Sequence, residues 1–323
     1  MKSETKQAET MTCGSCEIEC QRFGKHRNGL RRYRCPRCHK TYTEAHARTL
    51  GGMYVPQDKA CFALQLLIEG NSIRSTMRLT GLDQNTIMKA LVLAGEKCEK
   101  LLGRVLVNVP VRDVECDEIW GFVGKKEGHK KASEANDESI GDAYTFVAIE
   151  RHSKLVLNFT LGRRSQQTTD VFVEGLRGAT AAAPFQVTTD GFGPYRSAIT
   201  TTLSDRCDYA ALIKVYRAPV QGEARYSPSE IASTEVVPVM GQPDPERICT
   251  SIVERQNLTM RMQIRRLTRL TNAFSKKWEN LWAALCLHFA YYNLCRIHRS
   301  LRVTPAMEAG ITDHVWEIRE LLR

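Results

Sequence analysis

The spacing of apolar and polar positions changes character several times along the chain, and each change predicts a different kind of element. Residues 1–11 are polar and predict a disordered tail. From Gln57 apolar residues recur at helical spacing, with breaks near Glu69 and at Gly81. This predicts three helices, Gln57–Glu69, Ser72–Thr80 and Gln84–Leu102, the last with Asp83 as its N-cap. After Pro110 the pattern becomes strand-like. Val114–Val123, Tyr144–Glu150, Leu155–Leu161, Phe185–Gly191 and Tyr209–Val215 predict five strands, the second and third joined by the turn Arg151-His-Ser-Lys154. Gln166–Leu176 and Pro194–Leu203 predict helices between them, and Gly124–Asp142 an exposed polar loop. Residues 217–250 hold five prolines, at 219, 228, 238, 243 and 245, and little periodicity, which predicts an extended insertion. Helical spacing then returns in Ser251 to Arg266, read as one continuous helix, in Lys276–Arg296, and in a last helix over about Pro305–Leu322.

The order three strands, helix, strand, helix, strand, helix is, by analogy, that of a ribonuclease-H-like fold, an α/β (α+β) architecture with a mixed sheet. The expected organisation is a tail (1–11), a cysteine module (12–48), a helical triplet (56–102), a core (111–302) carrying the insertion at about 217–250, and a C-terminal helix (303–323).

Charge sharpens this picture. The formal net charge of the 323 residues is +10, and it is uneven. Residues 1–48 carry 11 Lys/Arg against 5 Asp/Glu, and residues 251–302 carry 10 against 2, around a mildly acidic remainder. Two basic ends predict two contacts with a polyanion, most simply nucleic acid. No apolar run is long enough to span a bilayer, so no membrane partner is expected. The polar start Met1-Lys-Ser-Glu-Thr-Lys-Gln lacks a signal-peptide core. Twelve cysteines without such a signal predict a reducing, cytoplasmic setting with thiols used for metal or packing.

Cys13-Gly-Ser-Cys16 and Cys35-Pro-Arg-Cys38 have the CxxC…CxxC spacing of one structural Zn²⁺. Between them Arg27-Asn28-Gly29-Leu30-Arg31-Arg32-Tyr33-Arg34 carries an Asn-Gly hairpin signal, which predicts a zinc ribbon with a basic tip. Cys20 lies outside both pairs, and His39 is a weaker substitute for Cys38. The short Gly-containing break before the third helix suits a helix-turn-helix, with Gln84, Asn85 and Lys89 facing base edges and Arg31, Arg32 and Arg34 holding phosphates. An ordinary three-helix bundle has the same periodicity.

Three acids stand out. Asp117 lies inside an apolar strand and Asp190 ends another; an acid so placed is costly unless paired or metal-bound. Glu254 lies on a helix where Val253, Met260, Ile264 and Leu267 form a core stripe, and Glu254, Arg261 and Arg265 a second. Glu254 is read either as an intrahelical ion-pair partner or as a metal ligand. Brought together, the three carboxylates repel one another and call for a cation, and oxygen ligands select Mg²⁺ or Mn²⁺. Two such ions suit phosphodiester chemistry. Among other acids, Glu118 is expected to face away by strand alternation. Asp113 and Glu115 share the face of Asp117 but lie at the strand's polar start and are expected to be solvated, Asp170 to serve a helix dipole, and Asp205 and Asp208 to lie outside any motif.

The runs Asp117-Glu-Ile-Trp-Gly-Phe-Val, Thr189-Asp190-Gly191-Phe-Gly-Pro-Tyr195 and Glu254-Arg-Gln-Asn257-Leu resemble the catalytic core of DDE transposases of the insertion-sequence-one type. The four-cysteine module and helical triplet ahead of them are also similar to that family, as is the tail Tyr292-Asn293-Leu-Cys-Arg-Ile-His298-Arg-Ser-Leu301. The resemblance covers roughly residues 12–310 and departs at 204–250, where the spacing between the second and third acids is longer. It implies that Asp117, Asp190 and Glu254 bind two Mg²⁺ (or Mn²⁺) ions. The basic faces of the Glu254 helix predict that Arg255, Asn257, Arg261, Arg265 and Arg266 meet DNA, and the resemblance implies that the chain cuts and joins double-stranded DNA at element ends as a dimer or larger assembly, cytoplasmic and nucleoid-associated. A DNA-binding regulator with an inactive core and a nuclease without strand transfer are the rival expectations.

Overall fold

The computed structural model describes residues 10–26, 30–44, 50–51, 53–216 and 231–323. They fall into two compact units, residues 1–60 and 61–323. The expected tail lies largely outside the described residues, as do the Asn28-Gly29 tip and the part of the insertion at 217–230.

In the first unit β1 (Gln21–Lys25), β2 (Arg31–Arg34) and β3 (Thr41–Thr43) form an antiparallel sheet in that order. Its buried cluster is small, consisting of Cys13, Cys20, Tyr33 and Cys35, so apolar burial alone does little to hold it together.

Helix α1 (Gln57–Ile68) spans the boundary at residue 60, and α2 (Ile73–Thr80) and α3 (Gln84–Val105) follow in the second unit. Asp83 caps α3 through its side chain, and Gly81 ends α2 at φ +65°, a left-handed conformation that costs glycine little; Ser72, expected as the first helical residue, is instead the N-cap of α2. Helix α3 is not confined to a separate helical module. It packs along α7 (Trp278–Leu294) so closely that a Cβ on Gly95 would meet Ala283 Cα at 2.5 Å.

A six-stranded mixed sheet forms the centre. β4 (Asp113–Val123), β5 (Gly141–Glu150) and β6 (Val156–Gly162) are an antiparallel meander. β7 (Phe185–Thr189) pairs parallel to β4, β8 (Cys207–Tyr216) parallel to β7, and β9 (Ile231–Met240) antiparallel to β8, giving the order β6-β5-β4-β7-β8-β9. On one face α4 (Gln166–Ala179) and α5 (Gly193–Thr202) close over Phe146, Phe172 and Tyr195. Elsewhere in this unit α6 (Ser251–Gln263) packs on β4 and β5, and α7 sets Phe289 and Trp282 against Phe159.

Three expectations need correction. Residues 231–240 are a full edge strand, because β8 offers an unpaired side that Ile231–Met240 takes, with Pro238 tolerated at the edge. The helix read through Arg266 ends at Gln263; Ile264 turns extended and Arg265–Leu267 forms a single 3₁₀ turn, although Ile264 and Leu267 stay buried as the stripe requires. The last helix is two single turns, α8 (Pro305–Glu308) and α9 (Ile318–Leu321), since Gly310 at φ +71° breaks it. Among the described residues no helix is long and apolar enough to cross a membrane.

Candidate functional site

The pairing Cys116↔Thr189 between parallel β4 and β7 sets the next residues, Asp117 and Asp190, side by side. Asp190 follows the last residue of β7 and accepts a hydrogen bond from the Phe192 amide at 2.9 Å, which fixes the chain's turn into α5. Asp117 accepts from its neighbour's amide at 2.8 Å and from Asn257 Nδ2 at 2.8 Å. Burial, and then the nearby Asp190 carboxylate, push the Asp117 pKa up to about 7. Two carboxylates this close, one largely buried and one partly exposed, repel each other and could share a cation.

Glu118 departs from expectation. Strand alternation does turn it toward α5, where Tyr195 OH donates to it at 3.3 Å. Yet Asp190 lies beyond the end of its strand, where both faces of the sheet are within reach. Ligand oxygens of Asp117, Glu118 and Asp190 therefore lie within 4.8 Å of one another.

Glu254 lines the same open cavity as Asp117 and Asp190, together with Arg164, Lys214 and Thr250. Its negative charge helps raise the Asp117 pKa. It is not the partner of an arginine on its own helix. Its carboxylate takes a short ion pair from Lys214 on β8 and a hydrogen bond from Thr250 Oγ1 at 2.6 Å.

The chain brings Glu254 here through a run of side-chain-to-backbone clasps. Asp208 accepts from the Gln242 amide at 2.8 Å, and Gln186 both accepts from the Asp244 amide and donates to its carbonyl. Asp113 accepts from Arg247 Nε at 2.8 Å and contacts His152 at 2.8 Å. Glu115 accepts from the Ile252 and Val253 amides at 2.7 and 3.0 Å, capping the start of α6. Asp113 and Glu115, expected to be solvated, are buried because the returning segment crosses over them. Arg247 and His152 hold the Asp113 carboxyl below its usual range against the opposing effect of burial, whereas burial raises that of Glu115.

Of the other acids, Asp170 accepts from Gln166 Nε2 on its own helix and Asp205 pairs with Arg177.

The candidate DNA contacts on α6 separate. Arg255 is exposed. Asn257 is turned to Asp117. Arg261 donates to the carbonyls of Leu267 and Trp120, tying α6 to β4, and burial pulls its pKa down to about 10. Arg266 donates to Met88 Sδ, and burial lowers it likewise to about 10. Arg265 is half-buried in the 3₁₀ turn. Gln84, Asn85 and Lys89 lie together on the exposed start of α3.

In the first unit Cys13, Cys16, Cys35 and Cys38 bring their sulfurs within 4.8 Å of one another. Cys13 and Cys38 Sγ are 3.6 Å apart, close to the ~3.8 Å edge of a tetrahedron built on ~2.3 Å zinc–sulfur bonds. The two CxxC turns match: Glu17 and His39, each four residues after the first cysteine of its pair, both have positive φ, and both donate back to that cysteine's carbonyl. A hydrogen bond from Tyr42 lowers the Cys13 thiol to about 6, favouring the thiolate a metal needs. Cys20 is buried outside this group, as read. Arg32 and Arg34 flank the exposed Phe23 ring at 5.4 and 5.2 Å, and the backbone of Arg31 is pinned by Glu44.

Sequence reasoning missed Arg164, Lys214 and Glu115. Only Glu115 left a trace, since alternation already put it on the face of Asp117.

No protein-family model and no curated protein matches the chain. Among solved structures it is similar to the cryo-EM structure of a piggyBac transposase synaptic complex with hairpin DNA, at TM-score 0.42 and 10% identity, over 86% of this chain and 71% of that one. A likeness this distant fixes neither fold family nor chemistry, so function has to be argued from the site's own residues.

Proposed function

We propose that this chain is a DNA transposase of the insertion-sequence-one type, with a zinc ribbon, a helix-turn-helix and a ribonuclease-H-like catalytic core. One observation carries the reading: Asp117, Asp190 and Glu254, from three separate elements, line a single open cavity. The strand order β6-β5-β4-β7-β8, with Asp117 on β4, Asp190 just past the end of β7 and Glu254 on α6 after the insertion, supports the core assignment.

The donor set fits divalent cations: oxygen-only, crowded and partly dry. Asp117 and Asp190 would hold them, with Glu254 joining once Lys214 releases it. Bound there, Mg²⁺ or Mn²⁺ supplies activation of an attacking oxygen and neutralises the leaving one. The residues of the chain do the rest. Asn257 fixes the Asp117 carboxylate, the Phe192 amide fixes Asp190, and Glu115 fixes the helix that carries Glu254. In the reaction, water adds to phosphorus and the P–O3′ bond breaks, freeing a 3′-hydroxyl and leaving the phosphate on the other fragment. That hydroxyl then forms a bond to a target phosphorus while the target's own P–O3′ bond breaks, so no outside energy source is needed. The four thiolates fit one structural Zn²⁺. Gln84, Asn85 and Lys89 read element ends, Arg31, Arg32 and Arg34 hold phosphates, and two chains at least are needed to pair two ends in the cytoplasm.

The test is Mg²⁺-dependent nicking and strand transfer on a duplex carrying the element's end. Glu254→Gln should lower cleavage by orders of magnitude and leave end binding intact. A Glu254→Gln protein that nicks at the wild-type rate would falsify the triad.

A further inference from the structure

We propose that Arg164 is the anchor for a phosphodiester group in the catalytic cavity, and that Glu118 is the positioning residue that aims it rather than a metal ligand. This rests on the phosphodiester reading above.

Three carboxylates stand together at the cavity, but they are not equivalent. The Glu118 side chain is 3% exposed, and both its oxygens are committed. One accepts from Arg164 Nε and Nη2, each at 2.6 Å; the other accepts from the fully buried Tyr195 hydroxyl at 3.3 Å. A carboxylate already neutralised by a guanidinium is a poor ligand for a second cation. Asp117 and Asp190 carry no such guanidinium bond, Arg164 standing 3.9 Å from Asp190.

Arg164 is correspondingly fixed. Its guanidinium lies 4.0 Å from the centre of the Phe192 ring and 5.9 Å from that of Tyr144, so one plane is stacked and one edge is bound to Glu118. Its side chain is nevertheless 42% exposed and faces the cavity. A guanidinium has five N–H groups in a rigid fork. Glu118 takes those of Nε and one of Nη2, and Nη1 makes no hydrogen bond to any described residue. A fork held by one edge and open at the other fits the paired oxygens of a phosphodiester, and a lysine cannot reproduce it. The preceding residue shows the contrast. Arg163 spends its guanidinium on the backbone carbonyls of Glu138, Ile140 and Asp142, so of two consecutive arginines one builds a loop and the other is left for the cavity.

The experiment uses the full-length, zinc-loaded chain and the variants Arg164→Gln, Arg164→Lys, Glu118→Gln, Arg164→Gln with Glu118→Gln, and Asp117→Asn. Two properties are read. The first is Mn²⁺ binding without DNA, by electron paramagnetic resonance. Glu118→Gln and both Arg164 variants should bind Mn²⁺ as the wild type does, and Asp117→Asn should lose it. The second is nicking at saturating Mg²⁺ and DNA. Arg164→Gln and Glu118→Gln should each lower kcat on the order of 10²-fold, the double variant no further, and Arg164→Lys should fall between. The half-saturating Mg²⁺ concentration should not move. If Glu118→Gln loses Mn²⁺ as Asp117→Asn does, or if excess Mg²⁺ restores its rate, Glu118 is a ligand and the proposal is wrong. Arg164→Gln nicking at the wild-type rate, with Asp117→Asn inactive, overturns the anchor while leaving the transposase reading intact. A wild-type protein that neither nicks nor binds Mn²⁺ overturns that reading and this one with it.

Discussion

Asp117 holds its proton to about pH 7 because burial and Asp190 both oppose its charge. The unfolded value is ~3.9. An acid whose folded pKa is raised weakens the folded state when it ionises. Stability is therefore lost as pH climbs from about 4 to 7, and is level above. Asp117→Asn removes that loss while keeping an oxygen for Asn257. In Mg²⁺-free buffer at pH 8 the variant should be more stable than wild type by on the order of 2–4 kcal/mol, with no difference at pH 3. Adding Mg²⁺ should stabilise the wild type and not the variant. Thermal melts at the two pH values, with and without Mg²⁺, check both arms; a variant less stable at pH 8 in Mg²⁺-free buffer would sink the assignment of strain to this carboxylate.

At the scale of elements, α6 is placed by its start. Glu115 caps two amides there, and its second oxygen has no partner among the described residues. Glu115→Ala should cost ~1–3 kcal/mol by leaving those amides unmet. Because the same helix carries Glu254, cleavage should fall further than the loss of folded protein explains. Comparing the folded fraction with the nicking rate at one temperature separates the two effects, and proportional losses would show that Glu115 does no more than stabilise. Gly95 is the corresponding constraint between α3 and α7. Gly95→Val should destabilise by ~1–3 kcal/mol through overpacking against Ala283, and an unchanged melting temperature would mean that the two helices do not meet as described.

At the scale of the molecule the two units should respond to different insults. The first has four clustered cysteines and little apolar core, so Cys35→Ser or zinc chelation should unfold it and leave the cooperative melt of residues 61–323 in place. Amide exchange resolved by segment reads this directly; protection retained in residues 12–44 after chelation would exclude a structural metal. DNA binding should divide as well. Asn85→Ala should lower the ratio of end to random affinity, while Arg32→Ala should weaken both alike and flatten the salt dependence. Titrations at two salt concentrations distinguish them, and an unchanged ratio for Asn85→Ala would remove α3 as the reading helix.

What the chain's own order settles is local. Gly81 and Asp83 announce helix ends because caps and left-handed turns need only neighbouring residues. The strands through Asp117 and Asp190 follow from period-two burial, and the cysteine group from two identical four-residue turns. The β9 strand was hidden because an edge strand is made by an unpaired neighbour rather than by its own pattern. The shortened α6 was hidden because apolar spacing runs on through Ile264 and Leu267 although the backbone does not. Only the tertiary structure decided which charges meet. It buried Asp113 and Glu115 under a returning segment, turned Arg261 and Arg266 inward, and set Lys214 on Glu254 and Arg164 on Glu118. Lys214 and Glu254, Arg164 and Glu118, Asp113 and Arg247, and Glu115 and Val253 are 40, 46, 134 and 138 positions apart, and no periodicity links them; the folded path of the chain brings them together, and for the buried Asp113, Glu115 and Glu118 the cost of leaving a carboxylate alone holds them there.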